Sequence, residues 1–147
     1  MIILVRHGEA THHTEQLTGG WTDSELTAVG RQQLHAVASK LAKDFAGKDR
    51  DLRLLTSDLK RAAASAQIIA ETLGITSVEP YEFLREKNNG QAAGLTETAA
   101  KALYQQPPTL KELHHRNYPG GETRKEFYDR CVEGIKACAD MEKENLI

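Results

Sequence analysis

Residues 2–9 of the chain are Ile-Ile-Leu-Val-Arg-His-Gly-Glu, a short apolar run that leads directly into a cluster of polar residues. Four consecutive apolar residues bounded by polar sequence are typical of a strand buried in a parallel sheet. We therefore expect residues 2–5 to form the first strand of the fold. Arg6 and His7 would then lie at its carboxyl end, where open α/β sheets gather their ligands.

Strand and helix patterns alternate through the segments that follow. In chain order they predict a helix over 27–47 capped by Thr27, a strand over 52–56, a helix over 58–73 stopped by Gly74, and an edge strand over 78–83 that contains Pro80. The apolar stripe of the first helix comprises Leu34, Val37, Leu41 and Phe45. This alternation predicts an α/β protein with a Rossmann-like three-layer α/β/α fold, in which a mostly parallel sheet is flanked by helices on both faces.

The C-terminal part of the chain is expected to be helical. A short helix is predicted over 96–104, and Thr123 with Glu126 fits a capping box at the start of a long last helix. The inner stripe of that helix comprises Phe127, Cys131, Ile135, Cys138 and Met141. Leu146 and Ile147 then resemble the beginning of another strand. We therefore expect residues 1–147 to be a single domain that is incomplete at its C-terminus.

Composition sets bounds on the function. The 147 residues are 39% apolar and 27% charged, and their formal net charge is −2. This balance is typical of a globular domain with a hydrophobic core, and it argues against a basic nucleic-acid-binding surface. No apolar run approaches the ~20 residues of a membrane span, and no signal peptide is visible. Two cysteines are too few for a disulfide scaffold. We expect a cytoplasmic protein that binds neither nucleic acid nor a membrane.

Two arginines occupy equivalent places after predicted strands. Arg6 follows the first strand together with His7, and Arg61 lies in the opening turn of the helix after the second strand. Guanidinium groups donate planar pairs of hydrogen bonds that suit phosphate, and a helix N-terminus adds N–H donors. The sequence therefore predicts a phosphoryl-binding site. A metal site is not expected, because the H-x-x-x-H and C-x-x-C spacings are absent.

The residues around this predicted site resemble a known family. Leu4-Val5-Arg6-His7-Gly8-Glu9 is similar to the signature of the histidine phosphatase superfamily, also called the phosphoglycerate mutase-like proteins. The resemblance continues in the family's order through residues 18–23, 26–30, 57–62, 84–96 and 119–123. It therefore covers essentially the whole chain.

The resemblance implies a phosphohistidine mechanism that needs no cofactor and acts on a small phosphorylated metabolite. His7 would match the nucleophile, and Glu86 would match the donor of a proton to the leaving oxygen. Arg6 and Arg61 would hold the phosphate oxygens. The other implied substrate- or phosphate-binding positions are His13, Thr18, Gly19 and Gly20.

Two features depart from the family's pattern. His13 stands where the family usually has a phosphate-binding Asn, although an imidazole can still donate a hydrogen bond there. No residue of this sequence matches the family's second catalytic histidine, which belongs to a strand expected beside the first one. Without that strand, an unpaired apolar edge would favour association into a homo-oligomer.

We therefore expect a phosphoric monoester hydrolase, with two alternatives. The stretch from Glu86 to Pro119 is too short for the extended lid of the family's mutases, but Gly20-Trp21-Thr22-Asp23 resembles those mutases. A phosphoglycerate mutase-type phosphotransferase is therefore the first alternative. The second is a non-catalytic domain that binds phosphorylated ligands or a partner without turnover, because no second histidine is matched.

Overall fold

The structure is a computed structural model that describes residues 2–47, 52–109 and 111–144. Its helices are α1 (Thr11–Thr14), α2 (Ala28–Phe45), α3 (Lys60–Leu73), α4 (Glu97–Leu103) and α5 (Arg124–Glu144). Its strands are β1 (Leu54–Thr56) and β2 (Val78–Pro80), and 3₁₀ turns cover Glu82–Leu84 and Gly90–Ala92. The strand expected to begin at Leu146 and Ile147 lies outside the described residues, as does the side chain of Met141.

The two strands run parallel, with Leu54 opposite Val78 and Thr56 opposite Pro80. Within the described part of the chain they form the sheet, and α3 packs against both of them. Parallel strands linked by a helix confirm the predicted α/β class.

The second strand is shorter than the predicted range of 78–83. The amide of Tyr81 still donates to the carbonyl oxygen of Thr56 at 2.8 Å, and the chain then turns into the 3₁₀ segment Glu82–Leu84. Since β1 ends at Thr56, no further backbone of β1 is available for pairing. The length of the neighbouring strand, which the local sequence does not encode, therefore sets the end of β2.

The main apolar core lies between α2 and α3. It is formed by Leu26, Leu34, Ala38, Ile68 and Ile69. The predicted inner stripe of α2 needs one correction, because Val37 is 37% exposed whereas Ala38 is fully buried. Positions 34, 38 and 41 follow spacings of four and three residues, so Val37 falls at the edge of the stripe.

The helix boundaries follow the sequence signals closely. The Thr27 hydroxyl accepts a hydrogen bond from the Gly30 amide at 3.0 Å and caps α2. Thr123 and Glu126 close the predicted capping box at the start of α5, with contacts of 2.9 and 3.1 Å. Gly74 ends α3 with a φ of 69°. These signals are local, so they could be predicted without knowing the fold.

The prediction of a buried strand at residues 2–5 is wrong. The side chains of Ile2, Ile3, Leu4 and Val5 are 79%, 46%, 90% and 40% exposed. Among the described residues, no strand pairs with this segment. An apolar run supplies suitable side chains, but a strand also needs a neighbour that accepts its backbone hydrogen bonds.

The inner face of α5 packs against the turn Glu82–Leu84. Cys138 is buried, as predicted, and the half-buried Cys131 donates from its thiol to the Phe83 carbonyl oxygen at 3.3 Å. Ile135 is 46% exposed, so its predicted place in the inner stripe is wrong. In the described part of the chain, no helix has the length and apolar character needed to cross a bilayer.

Candidate active site

His7 is held in one tautomer by two neighbours. Its Nδ1 lies 2.7 Å from the carbonyl oxygen of Gly8, which can only accept, so Nδ1 carries the proton. Its Nε2 lies 3.2 Å from Nε of Arg61, whose N–H can only donate. The two contacts therefore leave a neutral imidazole with a lone pair at Nε2. This is the form in which a histidine can act as a nucleophile.

The electrostatic surroundings of His7 favour the same neutral form. Burial is the main cause that lowers the pKa of His7 below its ordinary value of 6.5. The positive charges of Arg61 and Arg6 lower this pKa further, while the hydrogen bond to Gly8 opposes the shift. Protonation of the ring is therefore disfavoured near neutral pH.

Arg61 is the most completely buried charged side chain of the site, with an exposure of only 1%. It lies in the first turn of α3, and its Nη1 donates to the Thr22 carbonyl oxygen at 2.6 Å. Its Nη2 donates to the Gly20 carbonyl oxygen at 2.7 Å and to Glu86 Oε2 at 3.1 Å. Two backbone carbonyls thus fix the guanidinium plane, so its remaining N–H groups face His7 and Glu86 in a set orientation.

The carboxylate of Glu86 lies against the Arg61 guanidinium, which also contacts His7. Its side chain is 55% exposed, in contrast to its buried partner Arg61. Gly19 borders the carboxylate closely, because a Cβ atom on Gly19 would lie only 3.5 Å from Glu86 Oε2. The structure thus brings His7, Arg61 and Glu86 together from three distant parts of the chain.

The short helix α1 places two further histidines beside His7. The Ala10 amide donates to His13 Nδ1 at 3.0 Å and closes the first turn of this helix. The His13 ring stacks beside His7 with a centroid separation of 5.8 Å. Since its Nδ1 accepts, the neutral ring carries its proton at Nε2 and can donate there.

The other histidine of α1 is buried. His12 is 5% exposed, and its Nδ1 lies 2.7 Å from the Ser24 hydroxyl oxygen. Burial is the main cause that lowers the pKa of His12 from 6.5 to about 4, and the positive charge of His13 adds to the effect. The His12 ring is therefore neutral at ordinary pH.

The segment 18–20 frames the site through its backbone. The Thr18 hydroxyl donates to the Ala92 carbonyl oxygen, so this side chain ties the loop to the turn Gly90–Ala92. Gly20 has a φ of 66°, and a Cβ atom there would collide with the Asn89 side chain. Only glycine adopts this conformation readily, and it directs the Gly20 carbonyl toward Arg61.

The side chains of His7, Arg61 and Glu86 line a cavity of about 570 Å³. Its polar lining comprises Arg6, His7, Thr56, Ser57, Arg61, Ser65 and Glu86. Its apolar lining includes Ile3, Leu4, Val5, Leu54, Leu55, Leu59, Ile69 and Leu84. Arg6 is exposed and borders the same space as Arg61. The volume lies in the range of small-molecule sites, so the cavity can hold a phosphoryl group together with a small leaving group.

Two side chains at this site were not singled out by their chemistry in the sequence. The Trp21 indole Nε1 donates to the Glu86 carbonyl oxygen at 2.8 Å, and Arg130 of α5 contacts the same carbonyl oxygen at 3.2 Å. Trp21 lies within the segment that resembles the family, but Arg130 carries no local signal. Within the described residues, no group of three or more His, Cys, Asp or Glu side chains is arranged to hold a metal ion.

A neutral histidine beside two arginines, on an α/β fold, is an arrangement that suits the class of phosphoryl-transfer sites. The model of the histidine phosphatase superfamily (branch 1) matches residues 2–147. The chain therefore belongs to the histidine phosphatase superfamily.

The relatives include enzymes of more than one activity. The chain is 34% identical to phosphoglycerate mutase-like protein 4 of Arabidopsis thaliana over 99% of this chain and 63% of that protein. It is 32% identical to a metal-independent phosphoserine phosphatase of the same plant, over 97% of this chain and 59% of that protein. The chain thus spans less than two thirds of the length of these curated relatives.

The solved structures agree with this assignment. A mycobacterial glucosyl-3-phosphoglycerate phosphatase in complex with VO₃ superposes with a TM-score of 0.74 and 27% sequence identity. That match covers 92% of this chain and 65% of the mycobacterial chain. The α/β fold is therefore the histidine phosphatase fold.

Proposed function

We propose that this chain carries the catalytic centre of a phosphoric monoester hydrolase that works through a phosphohistidine at His7. The observation that supports this most directly is the contact between His7 Nε2 and Arg61 Nε, at 3.2 Å. This contact places the unprotonated Nε2 of His7, the proposed nucleophile, beside the Arg61 guanidinium. The positive charge of that guanidinium would neutralise the phosphoryl group under attack. Phosphoryl transfer depends mainly on such positioning and charge neutralisation.

The first step of the proposed reaction is attack by His7 Nε2 on phosphorus. The N–P bond forms as the bond between phosphorus and the ester oxygen breaks, and Glu86 gives its proton to the departing alcohol. In the second step water attacks phosphorus, its proton passes to Glu86, and the N–P bond breaks. Inorganic phosphate leaves, and His7 returns to its neutral form.

The arginines would hold the phosphate through both steps. Arg61 is fixed by the carbonyl groups of Gly20 and Thr22. Arg6, the residue before His7, borders the same cavity. His13 would add an N–H donor from Nε2, and the backbone of 18–20 would border the substrate. Preorganised donors of this kind need no rearrangement as charge develops on the oxygens.

Glu86 must be protonated when the substrate arrives, because it is to give a proton to the leaving oxygen. A bound phosphate dianion competes for the Arg61 N–H groups and places negative charge beside the carboxylate. Both effects favour the protonated acid. The substrate would therefore help to protonate its own proton donor.

The test is to trap the phosphohistidine. The chain is incubated with a ³²P-labelled phosphomonoester and quenched in denaturant at alkaline pH, because phosphohistidine is labile in acid. Since no histidine here matches the family's second one, and loss of one donor to an oxyanion typically costs ~10²–10³ in rate, long incubations are used. We expect label in the wild type and none in His7→Ala.

Other results would contradict the proposal in distinct ways. Equal labelling of the wild type and His7→Ala would refute His7 as the nucleophile. If the wild type binds phosphate but acquires no label, and Arg61→Ala no longer binds phosphate, the result would support the non-catalytic binding domain instead. Phosphate affinity that is unchanged in Arg61→Ala would refute the arginine clamp.

The mutase alternative is supported by the mutase-like relative and by the segment Gly20–Asp23. It is tested by comparing turnover of 3-phosphoglycerate and p-nitrophenyl phosphate. Release of inorganic phosphate from both supports a hydrolase. Conversion of 3-phosphoglycerate to its 2-isomer, faster than phosphate release, would support the mutase.

A further inference from the structure

We propose that Arg130 of α5 is the positioning residue for Glu86, an inference that rests on the proposed role of Glu86 as proton donor. Arg130 lies 44 positions further along the chain and does not line the cavity. It would act through the backbone of the segment that carries Glu86, not through the substrate.

The guanidinium of Arg130 gathers four carbonyl groups of that segment. Its Nη1 donates to the carbonyl oxygens of Glu82, Phe83 and Arg85 at 3.2, 2.9 and 3.1 Å. Its Nη2 donates to the carbonyl oxygen of Glu86 at 3.2 Å. The Arg130 side chain thus holds both the 3₁₀ turn Glu82–Leu84 and the backbone of Glu86, which follows that turn. A lysine ammonium has only three N–H donors and lacks the planar fork that spans these carbonyls.

Arg130 is itself held in place by Glu122. Its Nε and Nη2 donate to the two carboxylate oxygens of Glu122 at 2.6 and 2.8 Å. The same carboxylate accepts from the Asn88 amide at 2.8 Å, and the Glu122 amide donates to the Asn88 carbonyl oxygen at 2.8 Å. The pair therefore restrains the chain on both sides of Glu86. Its two side chains are only 20% and 15% exposed, so water competes weakly for these bonds.

Trp21 is a second side chain that restrains the backbone of Glu86. Its indole N–H donates to the Glu86 carbonyl oxygen at 2.8 Å, and its ring centroid lies 5.9 Å from the Arg130 guanidinium carbon. Trp21 is the only tryptophan of the protein. Its fluorescence therefore reports directly on the segment that carries Glu86.

The restraint matters because the Glu86 side chain has little other support. It is 55% exposed, and its contact with Arg61 is one that bound phosphate would displace. When that contact is replaced, the direction of the carboxyl group depends on its backbone. If the carboxyl group of Glu86 is poorly positioned, proton donation becomes less efficient. The rate should then fall most for alkyl phosphate esters, because their leaving oxygen depends most on receiving a proton.

The experiment compares Arg130→Met and Arg130→Lys with Arg116→Met. Arg116 is a matched control, because it also pairs with a carboxylate, that of Glu126, at 2.6 Å, but it donates to the Gly121 carbonyl oxygen and not to the 3₁₀ turn. We expect Arg130→Met to lower kcat about tenfold or more on glycerol phosphate, and much less on p-nitrophenyl phosphate, with KM nearly unchanged. Arg130→Lys, which preserves the charge and the pairing with Glu122, should lie between Arg130→Met and the wild type.

A double variant separates positioning from general damage to the fold. If Arg130 acts through Glu86, the variant Glu86→Gln/Arg130→Met should be no slower on glycerol phosphate than Glu86→Gln alone. Independent, additive losses would overturn the inference. An equal loss on both substrates would also overturn it, because that result is typical of a structural role.

A readout that does not need activity tests the restraint itself. Hydrogen exchange of the amides of residues 84–86, and acrylamide quenching of Trp21, should increase in Arg130→Met and stay at wild-type values in Arg116→Met. Unchanged exchange and quenching in Arg130→Met would contradict the inference alone. Absence of His7-dependent turnover in the wild type would instead contradict the proposed function.

Discussion

At the scale of single residues, the site consists of charged and neutral groups whose states are set by their neighbours. His7 has its proton at Nδ1 because Gly8 accepts there, and Arg61 keeps Nε2 free of a second proton. His12 is neutral for another reason, since burial opposes its charge. Three imidazoles and two guanidinium groups can therefore lie together without accumulating five positive charges.

The charge of Arg6 should be measurable in the titration of His7. Burial and the nearby cations hold the pKa of His7 below 6.5, so its midpoint in an NMR titration should lie below that value. Arg6→Gln removes one cation, makes protonation easier and should raise the midpoint toward 6.5. Lys40→Gln, a change on the exposed face of α2, is the control. A midpoint that does not move in Arg6→Gln would refute the electrostatic coupling.

His12 should make the protein less stable in acid. Its pKa falls from 6.5 in the unfolded chain to about 4 in the fold, so the unfolded state binds the proton more readily between these values. The contribution to stability is complete above pH 6.5 and is lost as the pH falls toward 4. Each pKa unit corresponds to about 1.4 kcal/mol, so we expect the shift from 6.5 to about 4 to cost about 3 kcal/mol of stability by pH 4.

Urea denaturation between pH 7 and 4 measures this effect. The fall in the free energy of unfolding should be smaller in His12→Gln than in the wild type, although His7 adds a decrease in the same direction. His35→Gln controls for removal of a surface histidine. A pH dependence in His12→Gln that equals that of the wild type would show that His12 is not the titrating group.

At the scale of secondary-structure elements, the first turn of α2 approaches the segment after His7 very closely. Gly8 and Gly30 face each other so closely that a Cβ atom on Gly30 would collide with the Glu9 carbonyl oxygen. The Thr27 amide donates to that same carbonyl oxygen at 3.0 Å. The first turn of α2 thus fixes the backbone beside His7.

Gly30→Ala should therefore destabilise the protein, although alanine normally stabilises a helix interior by about 1 kcal/mol relative to glycine. The collision is with backbone, which cannot turn away as a flexible side chain would, so we expect a net loss of about 1–3 kcal/mol. Thermal or urea denaturation measures it. Gly134→Ala is unsuitable as a control, because its Cβ would meet Phe83. Ser39→Ala, on the exposed face of α2, is the better choice, and a stabilised Gly30→Ala would refute the close contact.

At the scale of the whole molecule, the cavity has one wall that is apolar and open to solvent. Ile3, Leu4 and Val5 line this wall together with β1 and α3. Residues 2–5 expose large apolar side chains that a core would normally bury. Contiguous exposed apolar surface is typical of association sites.

We expect this chain to self-associate through residues 2–5. Leu4 is the most exposed of the four side chains, at 90%, so Leu4→Lys should shift the population toward the monomer in sedimentation velocity runs over a range of concentrations. Tyr128→Lys, an apolar-to-lysine change at a 63% exposed position of α5, should leave association unchanged. Equal association of the wild type and Leu4→Lys would contradict this expectation.

The sequence by itself determined those features that depend on neighbours within a few positions. The caps at Thr27 and Thr123, the end of α3 at Gly74 and the parallel order of β1 and β2 all follow from short-range signals. The placement of Arg6 directly after an apolar run, and of Arg61 in the opening turn of the helix after the second predicted strand, also predicted that both would share a site with His7. The physical reason is that hydrogen bonds at helix ends and the periodicity of apolar residues are local properties.

Only the tertiary structure decided the features that depend on contacts between distant segments. Residues 2–5 have the composition of a strand but lie exposed, because pairing depends on a neighbour that the local sequence does not encode. The tautomer of His7 depends on Arg61, which lies 54 positions away, and the support of Glu86 depends on Arg130, 44 positions away. Burial and hydrogen-bond partners of this kind arise only when the chain has folded, since each requires two segments to meet in space.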